Sequence, residues 1–294
     1  MLKMETTELL KKVRKIEIKT RGLSNHLFSG EYHTVFKGRG MSFSEVREYQ
    51  YGDDIRAIDW NVTARFDHPY VKVFEEEREL TVMIMVDVSQ SSFFGTHKMF
   101  KSELITEICA VLSFSAINNN DKVGVIFFSD TIEKFIPPKK GKTHILRIIR
   151  ELLNFEPVQK GTNISVAMQY LTNMMKKRSI CFVLSDFMDK RYEDALNIAS
   201  RKHDVIGIRI HDVREALLPD IGLIKTIDAE TGKEIWLDTS DNNVRNQYAK
   251  FYNEHVQYTR NAFLKCGAQL ESIKTDEDYV RKLMMMFKKR GVKK

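Results

Sequence analysis

Apolar runs alternate with amphipathic stretches from residue 80 to the C-terminus. Continuous apolar runs at 80–86, 122–128, 179–184 and 205–210 are typical of strands buried on both faces of a parallel sheet. Apolar residues at helical spacing predict helices over 99–117, 142–153, 191–201, 241–265 and 276–289, and a further helix that opens at Gly161-Thr162-Asn163. This alternation predicts an α/β fold with a doubly wound, mostly parallel sheet and helices on both faces.

Turn residues predict how the remaining segments are arranged. A strand-like piece at 132–136 is expected to end at Pro137-Pro138, and 223–237 is expected to form a hairpin at a sheet edge. A short strand near 269–273 precedes the last helix, for which Asp276 is the predicted cap. Because the first 79 residues have few long apolar runs, we predict an N-terminal appendage, residues 1–79, on a domain of residues 80–294.

Charge and hydropathy exclude some classes of protein. The net charge is +7, but residues 281–294 contain seven Lys or Arg and no acid, so the rest of the chain is balanced. A nucleic-acid-binding role is therefore not favoured, although a basic tail can contact anionic surfaces weakly. No apolar run approaches the roughly 18 residues that span a bilayer, and the N-terminus lacks the apolar region of a signal peptide. We expect a cytoplasmic protein without a membrane span.

Oxygen-bearing side chains follow two of the predicted strands and precede one helix. Asp87, Ser89 and Ser91 come directly after the first strand, Thr162 stands at a helix start, and Asp186 ends a later strand. Because ligands of open α/β sheets bind outside the carboxyl ends of the strands, these five side chains are expected to surround one point.

The donor types select the class of ion. Two carboxylates and three hydroxyls, without His or Cys, favour Mg²⁺, Mn²⁺ or Ca²⁺ over zinc or copper. A cation would also relieve the repulsion of two carboxylates, roughly 4 kcal/mol at 4 Å and an effective dielectric of 20. Each residue also has a simpler interpretation: the serines and Asp186 as turn formers, and Thr162 as an ordinary helix N-cap.

The order Asp-x-Ser-x-Ser, then Thr at a helix start, then Asp at a strand end resembles the metal-ion-dependent adhesion site of von Willebrand factor A domains. The resemblance implies a doubly wound fold with Mg²⁺ at the top of the sheet. Ser89, Ser91 and Thr162 would supply hydroxyls, and Asp87 and Asp186 would act directly or through water. An open coordination position would accept an Asp or Glu side chain of a partner protein.

A second resemblance covers residues 38–79, with the sequence GRGMSFSEVREYQYGDDIRAIDWNVTARFDHPYVKVFEEERE. It is similar to the segment that precedes a von Willebrand A-like domain in the bacterial family called domain of unknown function 58, here in its short form without membrane helices. Members are commonly linked with MoxR-type AAA+ ATPases, which implies such an ATPase as partner. The resemblance supplies no biochemical activity.

Two functions from different classes follow. The first is a non-enzymatic interaction module that docks a partner carboxylate through the bound cation. The alternative is a metal-dependent phosphoryl-transfer or hydrolytic enzyme that uses the same cation, since phosphoryl transfer can depend largely on positioning and charge stabilisation. A further acidic group, Asp53, Asp54 and Asp59, could hold a metal or act in catalysis, but the nearby arginines favour internal ion pairs, with Trp60 as a packing anchor.

Overall fold

The computed structural model describes residues 11, 13–17, 42–66, 68–75, 80–93, 100–159, 161–227 and 234–292. The strands in these ranges are β1 (Ser42–Glu48), β2 (Tyr70–Glu75), β3 (Thr81–Asp87), β4 (Lys122–Phe128), β5 (Ile132–Lys139), β6 (Ile180–Ser185), β7 (Asp204–His211), β8 (Leu223–Ile227), β9 (Glu234–Asp238) and β10 (Gln269–Lys274). The longer helices are α1 (Trp60–Phe66), α2 (Lys101–Asn118), α3 (Lys142–Leu153), α4 (Ile164–Met174), α5 (Glu193–Lys202), α6 (Asn242–Lys265) and α7 (Tyr279–Val292).

Six strands form the central sheet in the order β10-β7-β6-β3-β4-β5. All neighbours are parallel except β4 and β5, which pair antiparallel at one edge. If only the six strands of this sheet are numbered in chain order, from β3 as 1 to β10 as 6, their order across the sheet from β5 is 3-2-1-4-5-6. This is the strand order of a common class of doubly wound folds. The chain reverses direction across the sheet between β3 and β6, which makes this boundary the topological switch point. The predicted fold class is confirmed.

The central strands are buried because their side chains are apolar on both faces. Every residue of β6 is buried, as are all but the first residues of β3 and β4. Helix α2 is apolar around most of its circumference and is correspondingly buried over most of its length, as expected for a helix in the middle of one sheet face. Burial of this apolar surface holds the sheet and its helices together.

The edge strand β5 differs from its prediction. It continues through Pro137-Pro138 to Lys139, and its pairing with β4 is irregular between Val123 and Val125. Proline lacks an N–H donor but is tolerated at a sheet edge or bulge, which explains why the strand does not end there. A Cβ on Gly124 would lie 2.9 Å from the Pro138 nitrogen, so only glycine allows this close approach.

The chain divides into two compact units, and Phe36–Leu80 is the smaller. Within it β1 and β2 form an antiparallel pair. A 3₁₀ turn at Ile55–Ala57 and α1 lie between the two strands in sequence. The helical residues 13–17 belong to the larger unit, where Val13 packs against Ala110 and Phe114 of α2. The division into residues 1–79 and 80–294 stays a prediction.

The C-terminal segments pack into the larger unit. In α7, Leu283, Met286 and Phe287 are buried, and Arg290 contacts Asp204 at the start of β7 through both carboxylate oxygens, at 2.6 and 2.5 Å. Part of the basic tail is therefore structural. The predicted cap of this helix is wrong: Asp278 rather than Asp276 accepts from the first-turn amides, those of Val280 and Arg281. The hairpin predicted at 223–237 is present as β8 and β9, and its turn lies outside the described residues. Its predicted place at a sheet edge is wrong, because the two strands form a sheet of their own.

Candidate functional site at the carboxyl edge of the sheet

The switch point brings two of the predicted acids to the same edge. Strand β3 ends at Asp87, and Asp186 follows directly after β6, the parallel neighbour of β3. Both carboxylates are buried, with exposed fractions of 1% for Asp87 and 6% for Asp186. A doubly wound sheet places ligand-binding groups at this boundary because the strands on either side connect to helices on opposite faces.

Asp87 is held by neighbours from both strands. Its Oδ1 accepts a hydrogen bond from the Ser89 amide at 3.0 Å, and its Oδ2 accepts one from the Ser185 hydroxyl at 2.5 Å. Burial, followed by the negative charge of Asp186, raises the pKa of Asp87 to about 7, while the bonds from Ser185 and Ser89 act in the opposite direction. The charge of Asp186 therefore acts on Asp87, and a cation between them would stabilise both ionised forms.

The serines lie on a tight turn after β3. The Ser89 and Ser91 hydroxyl oxygens are 3.1 Å apart, and Ser92 Oγ donates to the Asp87 carbonyl at 3.0 Å, which fixes the turn. A hydrogen bond from the Ser91 side chain also acts to lower the pKa of Asp186. Four of the five predicted side chains are thus in one connected group: Asp87 and Ser89 from the first strand and its turn, Ser91 from the turn, and Asp186 from β6.

Asp186 has a partner that the sequence interpretation did not include. Its Oδ2 lies 2.8 Å from Lys101 Nζ, and its Oδ1 accepts the Met188 amide at 3.2 Å. Burial acts to raise the pKa of Asp186, but the ammonium of Lys101 outweighs it, and the pKa is lowered. Lys101 also contacts the Glu215 carboxylate. Burial would lower the pKa of Lys101, yet the charges of Asp186 and Glu215 raise it above its ordinary value.

Thr162 comes from a separate loop, which precedes α4. The amide of the next residue, Asn163, donates to the Ser129 carbonyl at 2.9 Å, so the loop lies over the end of β4, one strand from Asp87. Within the part of the chain that the structure describes, no hydrogen bond joins Thr162 to the other four residues. The simpler interpretation of Thr162 as N-cap is wrong, because Asn163 Oδ1 accepts the Val166 amide at 3.1 Å and caps α4.

The donor set fits a hard divalent cation in type and charge. Asp87 and Asp186 bring two negative charges when ionised, and Lys101, which pairs with Asp186 and with Glu215 outside the predicted ligand set, offsets only part of this charge. Among the described residues there is no group of three or more His, Cys, Asp or Glu arranged around a metal position. Serine hydroxyls and water would therefore have to complete the coordination shell, which is the usual way that Mg²⁺ is bound.

Three residues at this edge were missed by sequence reasoning: Ser185, Lys101 and Glu215. A signal existed for Lys101, because it occupies the same helical face as Leu104, Ile105 and Ile108 and is a charged residue at a position that the apolar pattern marks as buried. Ser185 could have been included because it ends the same strand that Asp186 follows. For Glu215 no comparable pattern exists in the sequence, since it comes from a short turn between β7 and β8.

The acidic group of the smaller unit forms two ion pairs and one helix cap. Arg47 holds Asp53 through both guanidinium branches at 2.8 and 2.7 Å, which confirms an arginine–carboxylate pair at this position. Asp54 caps the 3₁₀ turn, and Asp59 pairs with Lys72 at 3.4 Å rather than with an arginine. Trp60, predicted to be a packing anchor, is 67% exposed.

Within the ranges that the structure describes, no helix combines the length and the apolar character needed to cross a membrane. Uncharacterized protein Rv1480 of Mycobacterium tuberculosis is 27% identical over 282 residues, which cover 94% of this chain and 88% of the relative. Uncharacterized protein YeaD of Bacillus subtilis is 26% identical over 109 residues, 37% of this chain and 25% of that protein.

Solved structures with a similar fold include an aerotolerance-related membrane protein from Bacteroides fragilis. The two sequences are 17% identical, and the TM-score is 0.48. The match covers 73% of this chain and 100% of the Bacteroides chain. The SpRpn10 VWA domain is 11% identical with a TM-score of 0.40, and the match covers 70% of this chain and 94% of that domain. The family described as "Protein of unknown function DUF58" matches residues 45–258, nearly three quarters of the chain. The chain therefore belongs to the DUF58 family.

Proposed function

We propose that this protein is a protein-interaction module that docks a carboxylate of a partner protein through a divalent cation at the carboxyl edge of its sheet. The observation that supports this most strongly is the convergence of Asp87, Ser89, Ser91 and Asp186 at the switch point between β3 and β6. These residues come from two separated parts of the chain, so their proximity depends on the fold and not on local sequence.

The residues have distinct tasks in this proposal. Ser89 and Ser91 offer hydroxyl oxygens to the cation, Asp87 and Asp186 offer charge directly or through water, and Thr162 offers a hydroxyl from the loop before α4. The cation, Mg²⁺ in the first instance, would supply a positive centre with coordination positions left for an outside carboxylate. Asp186 is suited to act through water, because its two oxygens already accept bonds from Lys101 and the Met188 amide.

A MoxR-type AAA+ ATPase that presents an Asp or Glu side chain is the partner that we propose. Its support is the resemblance of the N-terminal segment and the family to which the chain belongs. A carboxylate suits the site because a cation held by few protein ligands retains exchangeable waters, and an anionic oxygen can replace one of them.

The test combines a metal titration with a capture experiment. Calorimetric titration measures Mg²⁺ binding, and the immobilised protein is exposed to a purified MoxR-type ATPase with Mg²⁺ or with a chelator. We expect capture only with Mg²⁺. The variants Asp87→Asn and Ser89→Ala/Ser91→Ala should weaken Mg²⁺ binding by more than about tenfold, since loss of even an outer-shell partner often costs that much, and both should abolish capture.

Matched controls separate the site from general effects. Ser115→Ala removes a buried hydroxyl that donates to the Val111 carbonyl inside α2, and Asp204→Asn removes a carboxylate from the opposite edge of the sheet. Both should bind Mg²⁺ and the ATPase as the parent does. Capture that persists in the chelator or in Asp87→Asn would refute metal-dependent docking. Metal-dependent hydrolysis of a phosphoester, lost in Asp87→Asn, would instead support the enzymatic alternative.

A further inference from the structure

We propose that Lys101 is a built-in counter-cation of this site, a covalently attached positive charge that shares Asp186 with the divalent ion and thereby limits the affinity for that ion. The inference rests on the proposed cation site and concerns a residue to which the docking proposal gives no task. It explains why a lysine is buried beside the predicted ligands, and it predicts a variant that binds metal more tightly than the parent protein.

The position of Lys101 in its helix is unfavourable unless carboxylates surround its ammonium. It is the first residue of α2, where the helix dipole favours anions rather than cations. Its side chain is only 1% exposed, so water does not solvate the charge. Burial of a lysine at such a position is costly without paired acids, and the structure supplies two of them, Asp186 at 2.8 Å and Glu215 in direct contact.

Glu215 is itself held in place by its surroundings. Its second carboxylate oxygen, Oε2, accepts the Asp212 amide at 2.9 Å, in a reciprocal capping arrangement of the short turn Val213–Glu215. Asp212 is fixed in turn by the Thr275 hydroxyl, 2.8 Å from its Oδ2. The ammonium thus lies between an acid of the cation site and an acid outside it, and the outer acid is anchored to the end of β7.

Competition follows from this arrangement by elementary electrostatics. An ion that draws on the charge of Asp186 is repelled by the ammonium bound to the same carboxylate, and this repulsion is strong because both charges are shielded from water. The lysine cannot leave the site as a free ion can. It therefore stabilises Asp186 in the protein without metal and reduces the gain in free energy when a divalent ion binds. A site of this kind depends on the partner carboxylate to complete tight binding.

The experiment compares Lys101→Met with a double variant and a control. Lys101→Met keeps an unbranched side chain, one heavy atom shorter, and removes the charge. Lys101→Met/Glu215→Gln removes the outer acid as well, so its net charge equals that of the parent. Lys202→Met is the control, because Lys202 bonds to the Thr172 carbonyl at the opposite edge of the sheet and its removal changes the net charge equally. Mg²⁺ affinity is measured by calorimetry, and the melting temperature is measured with and without Mg²⁺.

We expect Lys101→Met to bind Mg²⁺ about tenfold or more tightly than the parent protein, with a lower melting temperature in chelator and a larger upward shift on adding Mg²⁺. The double variant should retain the gain in affinity, because the ammonium and not the net charge limits binding, and it should fold if the single variant does not. Lys202→Met should match the parent in both measurements.

The outcomes also separate this inference from the docking proposal. If the parent binds Mg²⁺ and both Lys101 variants bind it equally or more weakly, the inference is overturned and the docking proposal is unaffected. If the parent does not bind Mg²⁺ but a Lys101 variant does, the inference holds, and the docking proposal fails for the natural chain. If neither binds, both are refuted. A gain in Lys101→Met that the double variant loses would assign the effect to net charge and overturn the inference.

Discussion

The carboxyl and amino edges of the central sheet differ in how their charged side chains are buried and paired. At the carboxyl edge, Asp87 and Asp186 are buried together, and the buried ammonium of Lys101 pairs with Asp186. At the amino edge, Asp204 begins β7 and is paired with Arg290, and the two side chains retain contact with solvent at 28% and 18% exposure. The first arrangement leaves an excess of negative charge, and the second is balanced.

The difference shows how a fold distinguishes a binding site from a structural contact. A balanced pair at the surface needs no further group, and its contribution to stability is small. An unbalanced buried cluster is costly for the isolated protein and is stabilised by whatever positive charge reaches it. Burial is the main cause of the raised pKa of Asp87, and the negative charge of Asp186 adds to it.

The strongest test of this comparison removes one acid from each edge. Asp186→Ala leaves the buried ammonium of Lys101 with Glu215 as its one remaining acid among the described residues, so we expect the free energy of unfolding to fall by about 3–5 kcal/mol. Asp204→Ala leaves Arg290 partly solvated, and we expect a loss of about 1 kcal/mol or less. Urea denaturation in the presence of chelator measures both values under the same conditions.

Equal losses in the two variants would show that the carboxyl edge is no more dependent on its charges than the amino edge. A loss for Asp186→Ala that disappears when Lys101→Met is added would instead strengthen the comparison, because it would trace the cost to the uncompensated ammonium. The amino-edge double variant Asp204→Ala/Arg290→Met should show no comparable recovery.

A second test uses pH at the amino edge, where His203 is fully buried and its Nδ1 lies 3.0 Å from the Ser179 hydroxyl. Burial, then the charges of Lys202 and Arg178, lowers the pKa of His203 to about 4. The folded state therefore binds a proton at His203 less readily than the unfolded chain does. The contribution of neutral His203 to the free energy of unfolding is fully present above pH 6.5. It is lost as the pH falls towards 4, by about 3 kcal/mol at most.

His203→Gln should make the free energy of unfolding less dependent on pH between 6.5 and 4, as measured by urea denaturation at several pH values. His211 near the carboxyl edge also has a pKa lowered to about 4, by burial and then by Arg209 and Lys274. It remains in the variant, so the acid sensitivity should decrease without vanishing. An unchanged pH dependence would show that His203 is not held neutral by its surroundings.

The sequence predicted the sheet and its helices well because buried parallel strands have a strong pattern. The apolar runs at 80–86 and 179–184 lie within one residue of β3 and β6. The strand at Pro137-Pro138 was misjudged, because whether proline ends a strand depends on its neighbours, and β5 has a neighbour on one side only. Helix caps were less predictable, since Asp276 and Asp278 both lie before α7 and local geometry decides between them.

The candidate site shows a similar limit. The acids and serines could be proposed because they follow strand ends, and parallel strands bring those ends to one edge. The cations could not be assigned in the same way: the arginine that pairs with Asp53 is six residues away, whereas the lysine that pairs with Asp186 is 85 residues away. A short-range pattern indicates the first pair, while only the packed position of α2 on the central sheet reveals the second.

The smallest expected effect concerns the loop over β4, where adjacent residues have separate tasks. Asn163→Ala removes the cap of α4 and should lower the free energy of unfolding by about 1 kcal/mol. Thr162→Ala should change it by less than half as much, because the described structure shows no hydrogen bond of Thr162 to break. If Thr162 is a ligand in the proposed site, the ranking reverses for Mg²⁺ affinity, and Thr162→Ala has the larger effect. Thermal denaturation and calorimetric titration of the two variants measure both effects. A Thr162→Ala protein with full Mg²⁺ affinity would remove Thr162 from the proposed ligand set. The proposed site would then consist only of the residues at the edge between β3 and β6.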